Sequence, residues 1–275
     1  MTTQNNRQTF FFISDGTGIT VEVLGNSLLS RFEHLSIDQV TLPYINTLEK
    51  AQEVVTKINQ LNSPLPAVAM VSIISPDIRE LIKSADVLVL DIFEAFLSPL
   101  EKLLRCKADT TPGKAFNAKT TTYLHRIEAM NYALENDDGC NVKKYHEADV
   151  IVVGLSRSGK TPTCLYLSMH FGILAANYPL TEDDFERGDL PEALINNKKK
   201  LFGLIIDPDR LNTIRDKRYS SSRYASIQQC EFEYRELQKL YQRYNIPFLN
   251  STFLSIEELS TRIMLEFDIE RRLSS

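Results

Sequence analysis

The chain has 275 residues, of which 43% are hydrophobic and 24% charged, and its net charge is -5. That length fits one large domain or two modest ones with a real core, and the acidic balance argues against a general polyanion-binding surface, so nucleic acid is not an expected partner. No apolar stretch approaches the length of a membrane span and the first residues lack a secretory apolar region, which predicts a cytoplasmic protein with no membrane partner.

Residues 9–13 read as a β-type apolar run ending in Ser14-Asp15-Gly16-Thr17-Gly18, followed by a helical pattern with Val21, Leu24, Leu28 and Phe32 on one face. The corner either nests an anion, with Asp15 and Thr17 at the strand's carboxyl end, or merely turns the chain while Asp15 caps the helix. Residues 40–45 read as the next strand, and Asn46 with Glu49 as a capping-box-like start for a helix to Leu61. Residues 67–74 are a continuous apolar strand, Ser75-Pro76 opens a short helix, and residues 87–90 form a buried strand before a helix carrying Phe93, Phe96, Leu97, Leu100 and Leu104. This alternation predicts an α/β protein with a mainly parallel sheet. From Cys106 to Thr122 apolar periodicity disappears, as in a long loop or linker. A helix through Ile127, Met130, Tyr132, Ala133 and Leu134 leads to the turn Asp137-Asp138-Gly139. The domain junction is expected near residue 145, giving an N-terminal α/β domain over 1–145 and a second α/β domain over 146–275.

The second half restarts the alternation. The apolar run Val150, Ile151, Val152, Val153 runs straight into Gly154-Leu155-Ser156-Arg157-Ser158-Gly159-Lys160-Thr161, which fills every fixed position of the phosphate-binding pattern G-x-x-x-x-G-K-[ST] between a strand and a helix. The glycines let backbone N–H groups turn toward phosphate oxygens, Lys160 supplies a charge, Thr161 offers a hydroxyl to magnesium, and the following helix points its positive end at the same place. A glycine turn with a chance lysine is the bland alternative. The C-terminal domain is therefore expected to be P-loop kinase-like. A strand at 173–176, an acidic loop with Asp183, Asp184 and Glu186, a strand at 201–206, two helical patterns, a strand at 246–249 and a helix started by Ser255 with Glu258 complete the chain. Four cysteines without a C-x-x-C pair, and four histidines without ligand spacing, indicate neither a disulfide framework nor a zinc site.

Magnesium at such a loop needs a carboxylate, usually at the end of a neighbouring strand. Asp207, after Leu204, Ile205 and Ile206, is the expected metal partner of Thr161; equally, it could cap the helix opened by Pro208. Either Asp207 or Asp209 could accept a proton from an attacking hydroxyl. Among the basic residues Arg210, Arg215, Lys217, Arg218 and Arg223, one could neutralise a transferring group, although a solvated helix face is the commoner meaning of such a run. Arg157 and Ser158 lie inside the loop itself. Lys160, Asp207, Asp209 and Arg157 are thus the candidate catalytic residues.

Several stretches in order resemble one family. They are Ser14 to Thr20, Arg126-Ile127-Glu128-Ala129, Asp137-Asp138-Gly139, Gly154 to Thr163, Ala175-Ala176-Asn177-Tyr178-Pro179, Gly203 to Leu211, Ser222 to Ser226 and Asn250-Ser251-Thr252. The chain resembles the bacterial phosphoenolpyruvate synthase regulatory proteins, which share a kinase/pyrophosphorylase family with the pyruvate, phosphate dikinase regulatory proteins; residues 106–122 carry no match. The resemblance implies a bifunctional regulator. It would transfer a phosphoryl group from ADP to a threonine of its target and remove it with inorganic phosphate as pyrophosphate, and ADP would sit on Gly154 to Thr161. Tyr178 looks more like the synthase branch, the dikinase branch more often having valine there. A small-molecule kinase and a nucleotide sensor without transfer are the readings from other classes, and a homo-oligomer is left open.

Overall fold

The computed structural model describes residues 7–32, 36–61, 65–109, 120–218 and 222–269. The chain divides into two compact units, Met1–Asn117 and Ala118–Ser275, each containing a four-stranded parallel sheet.

In the first unit the strands β1 (Arg7–Ser14), β2 (Ser36–Leu42), β3 (Val68–Ser72) and β4 (Leu88–Asp91) lie in the order β2-β1-β3-β4. Helices α1 (Ile19–Leu29), α2 (Leu48–Asn59), α3 (Pro76–Lys83) and α4 (Ile92–Leu104) connect and follow them. Strand periodicity sends Phe11 and Ile13 into a core with Val54, Val55 and Ile58 of α2 and Ile78 and Ile82 of α3, and Phe12 to the opposite face with Val21 of α1 and Met70. The α2 cap is Thr47, one residue past the expected Asn46: Thr47 is extended and its hydroxyl accepts the Lys50 N–H at 3.3 Å. Asp15 does not cap α1. Its Oδ2 accepts the Ile74 N–H at 2.8 Å, tying the end of β1 to the segment after β3.

In the second unit β5 (Val150–Gly154), β6 (Ala175–Pro179), β7 (Leu201–Ile205) and β8 (Phe248–Asn250) lie in the order β6-β5-β7-β8. The helices are α5 (Thr120–Glu135), α6 (Lys160–Phe171), α7 (Glu182–Arg187), α8 (Glu192–Ile195), α9 (Pro208–Asp216), α10 (Ile227–Tyr244) and α11 (Ile256–Glu266). The contact boundary falls between 117 and 118 rather than near 145 because α5 packs on α6 and β6. Every residue of β5 is buried. Val150 and Val152 meet Cys164 and Leu167 of α6 and Ile263 of α11, while Ile151 and Val153 meet Leu237, Leu240 and Tyr241 of α10.

Strand β2 covers Ser36–Leu42 rather than 40–45, and two further segments differ from expectation for local reasons. Strand β6 begins at Ala175 instead of 173, because Gly172 ends α6 in a left-handed conformation and the Leu174 N–H is spent on Asp149 Oδ2 at 2.9 Å before pairing with β5 starts. The acidic stretch around Asp183 is helical rather than a loop. The Asp184 carboxylate accepts the Thr181 N–H at 2.9 Å, and the three acids of the first turn favour the helix's positive end.

Within each unit the strands, counted in chain order, read 2-1-3-4. In such sheets the order reverses between the first and third strands, and ligands bind outside their carboxyl ends. In the second unit that position is where β5 runs into Gly154; in the first it is the corner after Ser14. Among the described residues no helix is long and apolar enough to cross a membrane.

The hydroxyl of Tyr241 braces the edge below the loop by donating to the Val153 carbonyl at 2.8 Å, in a fully buried position. Tyr241→Phe keeps the ring and removes this bond, so it should lower the unfolding free energy by about 1–2 kcal/mol. Urea unfolding followed by circular dichroism checks this, and an unchanged midpoint would contradict the assigned bond.

Candidate active site

The loop's shape follows from its residues. A Cβ on Gly154 would stand 2.5 Å from the Leu204 carbonyl oxygen of β7 and 3.0 Å from Ser158 Oγ, so no side chain fits where β5 ends. Leu155 is buried and anchors the loop in the core, whereas the Arg157 side chain is exposed. Gly159, at the N-cap of α6, has φ 95°, and Arg157 also takes a left-handed conformation, φ 79°.

Lys160 is almost completely buried and its Nζ donates to the Leu155 carbonyl at 3.0 Å, closing the loop on itself. Burial pushes the ammonium down from 10.5 to about 8, with the carboxylates of Asp138 and Asp137 pulling the other way. Ser158 Oγ is buried with no protein partner. The loop thus buries an ammonium held by a single carbonyl and a hydroxyl with no protein partner.

The acid nearest this loop is not the expected one. Thr161 Oγ1 donates to Asp137 Oδ1 at 2.8 Å. The same carboxylate oxygen accepts a short hydrogen bond from Asn177 Nδ2, and Asn177 Oδ1 in turn accepts the Asp138 N–H at 3.1 Å. Asn177 is fully buried at the centre of β6. The 3-10 turn Asp137–Gly139 is therefore clamped between β6 and the start of α6, with the Tyr178 ring packed under Gly139. Asp138 takes φ 47° and its side chain is exposed.

The remaining candidates lie elsewhere on the same edge. Asp207 occupies the N-cap position of α9 without a capping hydrogen bond from its side chain. Its Oδ1 instead accepts Asn250 Nδ2 at 2.7 Å, and its N–H donates to Thr252 Oγ1 at 2.9 Å. Asp209 and Arg210 are exposed in the first turn of α9, and Arg223 pairs with Glu182 of α7 at 2.7 Å. Arg215, from the same basic run, is buried beside Ser156 of the loop. Asp137 and Asn177 escaped the sequence reading as site residues: strand-end rules point to an acid after an apolar strand, and this acid comes from a turn after a helix.

Among the described residues no three His, Cys, Asp or Glu side chains cluster as a metal site. Magnesium does not require one, since it binds through one or two carboxylates together with substrate phosphates and water. A threonine hydroxyl with adjacent carboxylates has the hard-oxygen chemistry such an ion takes.

A glycine loop after a parallel strand, with a buried lysine and two adjacent acids, is an arrangement that phosphate-handling enzymes use. The family model described as kinase/pyrophosphorylase matches residues 10–264, and the chain belongs to that kinase/pyrophosphorylase family. It is 50% identical over 270 residues, covering 97% of this chain and 99% of the relative, to a Stutzerimonas stutzeri protein named "Putative phosphoenolpyruvate synthase regulatory protein". Proteins of the same name from Hahella chejuensis (50% identity, 97% and 99% covered) and Pseudomonas aeruginosa (51%, 97% and 98%) match equally well.

With burial holding the Lys160 ammonium down at about 8, a diphosphate that bound on it above that pH would have to return a proton to it. ADP affinity should therefore fall as pH rises from about 7 to about 9, with proton uptake on binding. Calorimetry in buffers of different ionisation enthalpy checks this; an affinity independent of pH over that window would contradict it.

Proposed function

We propose that this enzyme is a bifunctional regulator of phosphoenolpyruvate synthase. In one direction a threonine hydroxyl of the synthase attacks the β-phosphorus of ADP; the bond to the bridging oxygen breaks, AMP leaves and the hydroxyl proton is released. In the other, inorganic phosphate attacks the phosphothreonine, so that pyrophosphate leaves and the threonine is restored. The observation that carries this reading is the loop with its buried Lys160 and unpartnered Ser158 hydroxyl, and the names of the relatives supply the target.

Backbone N–H groups of Gly154 to Thr161 and the Lys160 ammonium hold the diphosphate. Thr161 and Asp207, with Asp137 beside the Thr161 hydroxyl, provide the oxygen donors for magnesium. Bound there, the ion would neutralise charge on the phosphoryl oxygens. To the candidate bases Asp207 and Asp209 we add Asp138, and favour it. Its exposed carboxylate exerts the largest favourable pull of any charged group on Lys160, and its turn is fixed by Asn177. It takes the threonine proton in the forward direction and returns it in reverse. Asp209 is exposed on α9 and stands behind it as the second candidate. Arg157, exposed on the loop, is placed to neutralise the transferring group. The reaction needs no nucleic acid or membrane, and its ADP pool fits a cytoplasmic enzyme.

The test is to mix the protein with the phosphohistidine form of the synthase, magnesium, and either ADP labelled at the β-phosphate or ATP labelled at the γ-phosphate. Label should pass from ADP to a threonine and leave as pyrophosphate when phosphate is added. Equal transfer from ATP, or none from ADP, would overturn the proposal. Asp138→Asn should slow transfer by about 10²–10⁴-fold while ADP still binds; transfer at the wild-type rate would remove Asp138 from its role.

A further inference from the structure

One buried cation beside the loop has no part in this chemistry. The Arg215 side chain in α9 is 1% exposed. Its Nη2 donates to Glu233 Oε2 of α10 at 2.7 Å, its Nη1 to the Tyr224 carbonyl at 3.0 Å, and its guanidinium lies 4.0 Å over the Tyr224 ring. These contacts alone make a staple between α9 and α10. A buried ion pair of this kind is often no more stabilising than apolar packing, and here the Nε hydrogen has no partner among the described residues.

Nη1 also reaches Cys230 Sγ of α10 at 4.0 Å, and a further contact points to something more. Arg215 Nη2 also reaches the Ser156 carbonyl, at 3.5 Å. Ser156 lies inside the phosphate loop, and its carbonyl and the Arg157 N–H belong to one trans peptide, in which the two groups point in opposite directions. A Ser156 carbonyl held toward Arg215 thus turns the Arg157 N–H away from the guanidinium. The same peptide leads into the left-handed Arg157, a conformation that a residue with a Cβ avoids unless its surroundings impose it.

We propose that Arg215 is a positioning residue: from behind the loop it fixes the Ser156–Arg157 peptide so that the Arg157 N–H faces the phosphates of a bound nucleotide. This rests on the reading of Gly154 to Thr161 as the ADP site. The guanidinium is paired and buried, so it does not touch the nucleotide; it acts through the backbone it holds.

The test is a double-mutant cycle on ADP affinity with melting temperatures measured in parallel. Arg215→Lys keeps the charge and loses the planar fork, and should weaken ADP binding by about tenfold. Glycine takes φ near 79° without strain, so the same substitution made in an Arg157→Gly background should cost clearly less. Equal losses in both backgrounds, or no loss in a folded Arg215→Lys protein, would overturn the proposal. A measurement on the unmodified protein keeps it testable should Arg215→Lys not fold. The Arg157 amide proton should move downfield in nuclear magnetic resonance spectra when ADP is added, and an unmoved resonance at saturating ADP would overturn the proposal. Wild-type protein that binds neither ADP nor pyrophosphate would overturn the nucleotide reading itself, and the role of Arg215 with it.

Discussion

One carboxylate oxygen holds the site together. Oδ1 of Asp137 accepts from the Thr161 hydroxyl at the head of α6 and from the buried amide of Asn177 in β6. Without it the turn would have no side-chain tie to the head of α6. With it, the turn that carries Asp138 is tied to Thr161 at the head of α6, and an exposed acid and the buried Lys160 ammonium share one edge of the sheet. Asn177 makes the arrangement unambiguous, because its amide donates to one residue of the turn and accepts from the next, and a fully buried amide has few other ways to satisfy both groups.

The loop concentrates several unfavourable features. Lys160 is buried against a carbonyl and only partly compensated by the carboxylates of the turn, Ser158 keeps an unsatisfied hydroxyl, and Arg157 occupies a conformation suited to glycine. Each is a cost in the folded protein, and on the reading proposed above a bound anion would relieve it. Arg215 belongs to the same pattern, since a second cation is buried behind the loop.

Much of this was legible in the sequence, and the exceptions have physical reasons. The eight strands and the loop between β5 and α6 follow from apolar runs and a fixed spacing of glycine, lysine and threonine, which are local signals. The partner of Thr161 was hidden because Asp137 is 24 residues away and arrives from a turn; no period or spacing rule connects them. Asp207 stands where the strand-end rule looks, yet its hydrogen bonds run to Asn250 and Thr252, side chains no local pattern pairs with it. Arg215 read as one more charge in a basic run, and only the fold shows that it faces inward. Nor did the sequence show a repeat, although both sheets have the same strand order. Strand order is fixed by which apolar faces must be covered, and unrelated side chains cover them equally well.

The bridge at Asp137 is open to direct measurement through the magnesium dependence of ADP binding. Asp137→Asn leaves the shape of the turn and removes the charge that Thr161 and Asn177 share, so calorimetry should show the magnesium-dependent part of ADP affinity reduced by about tenfold or more. If Asp137→Asn bound ADP with the magnesium dependence of the wild type, the turn and the loop would not form a single site.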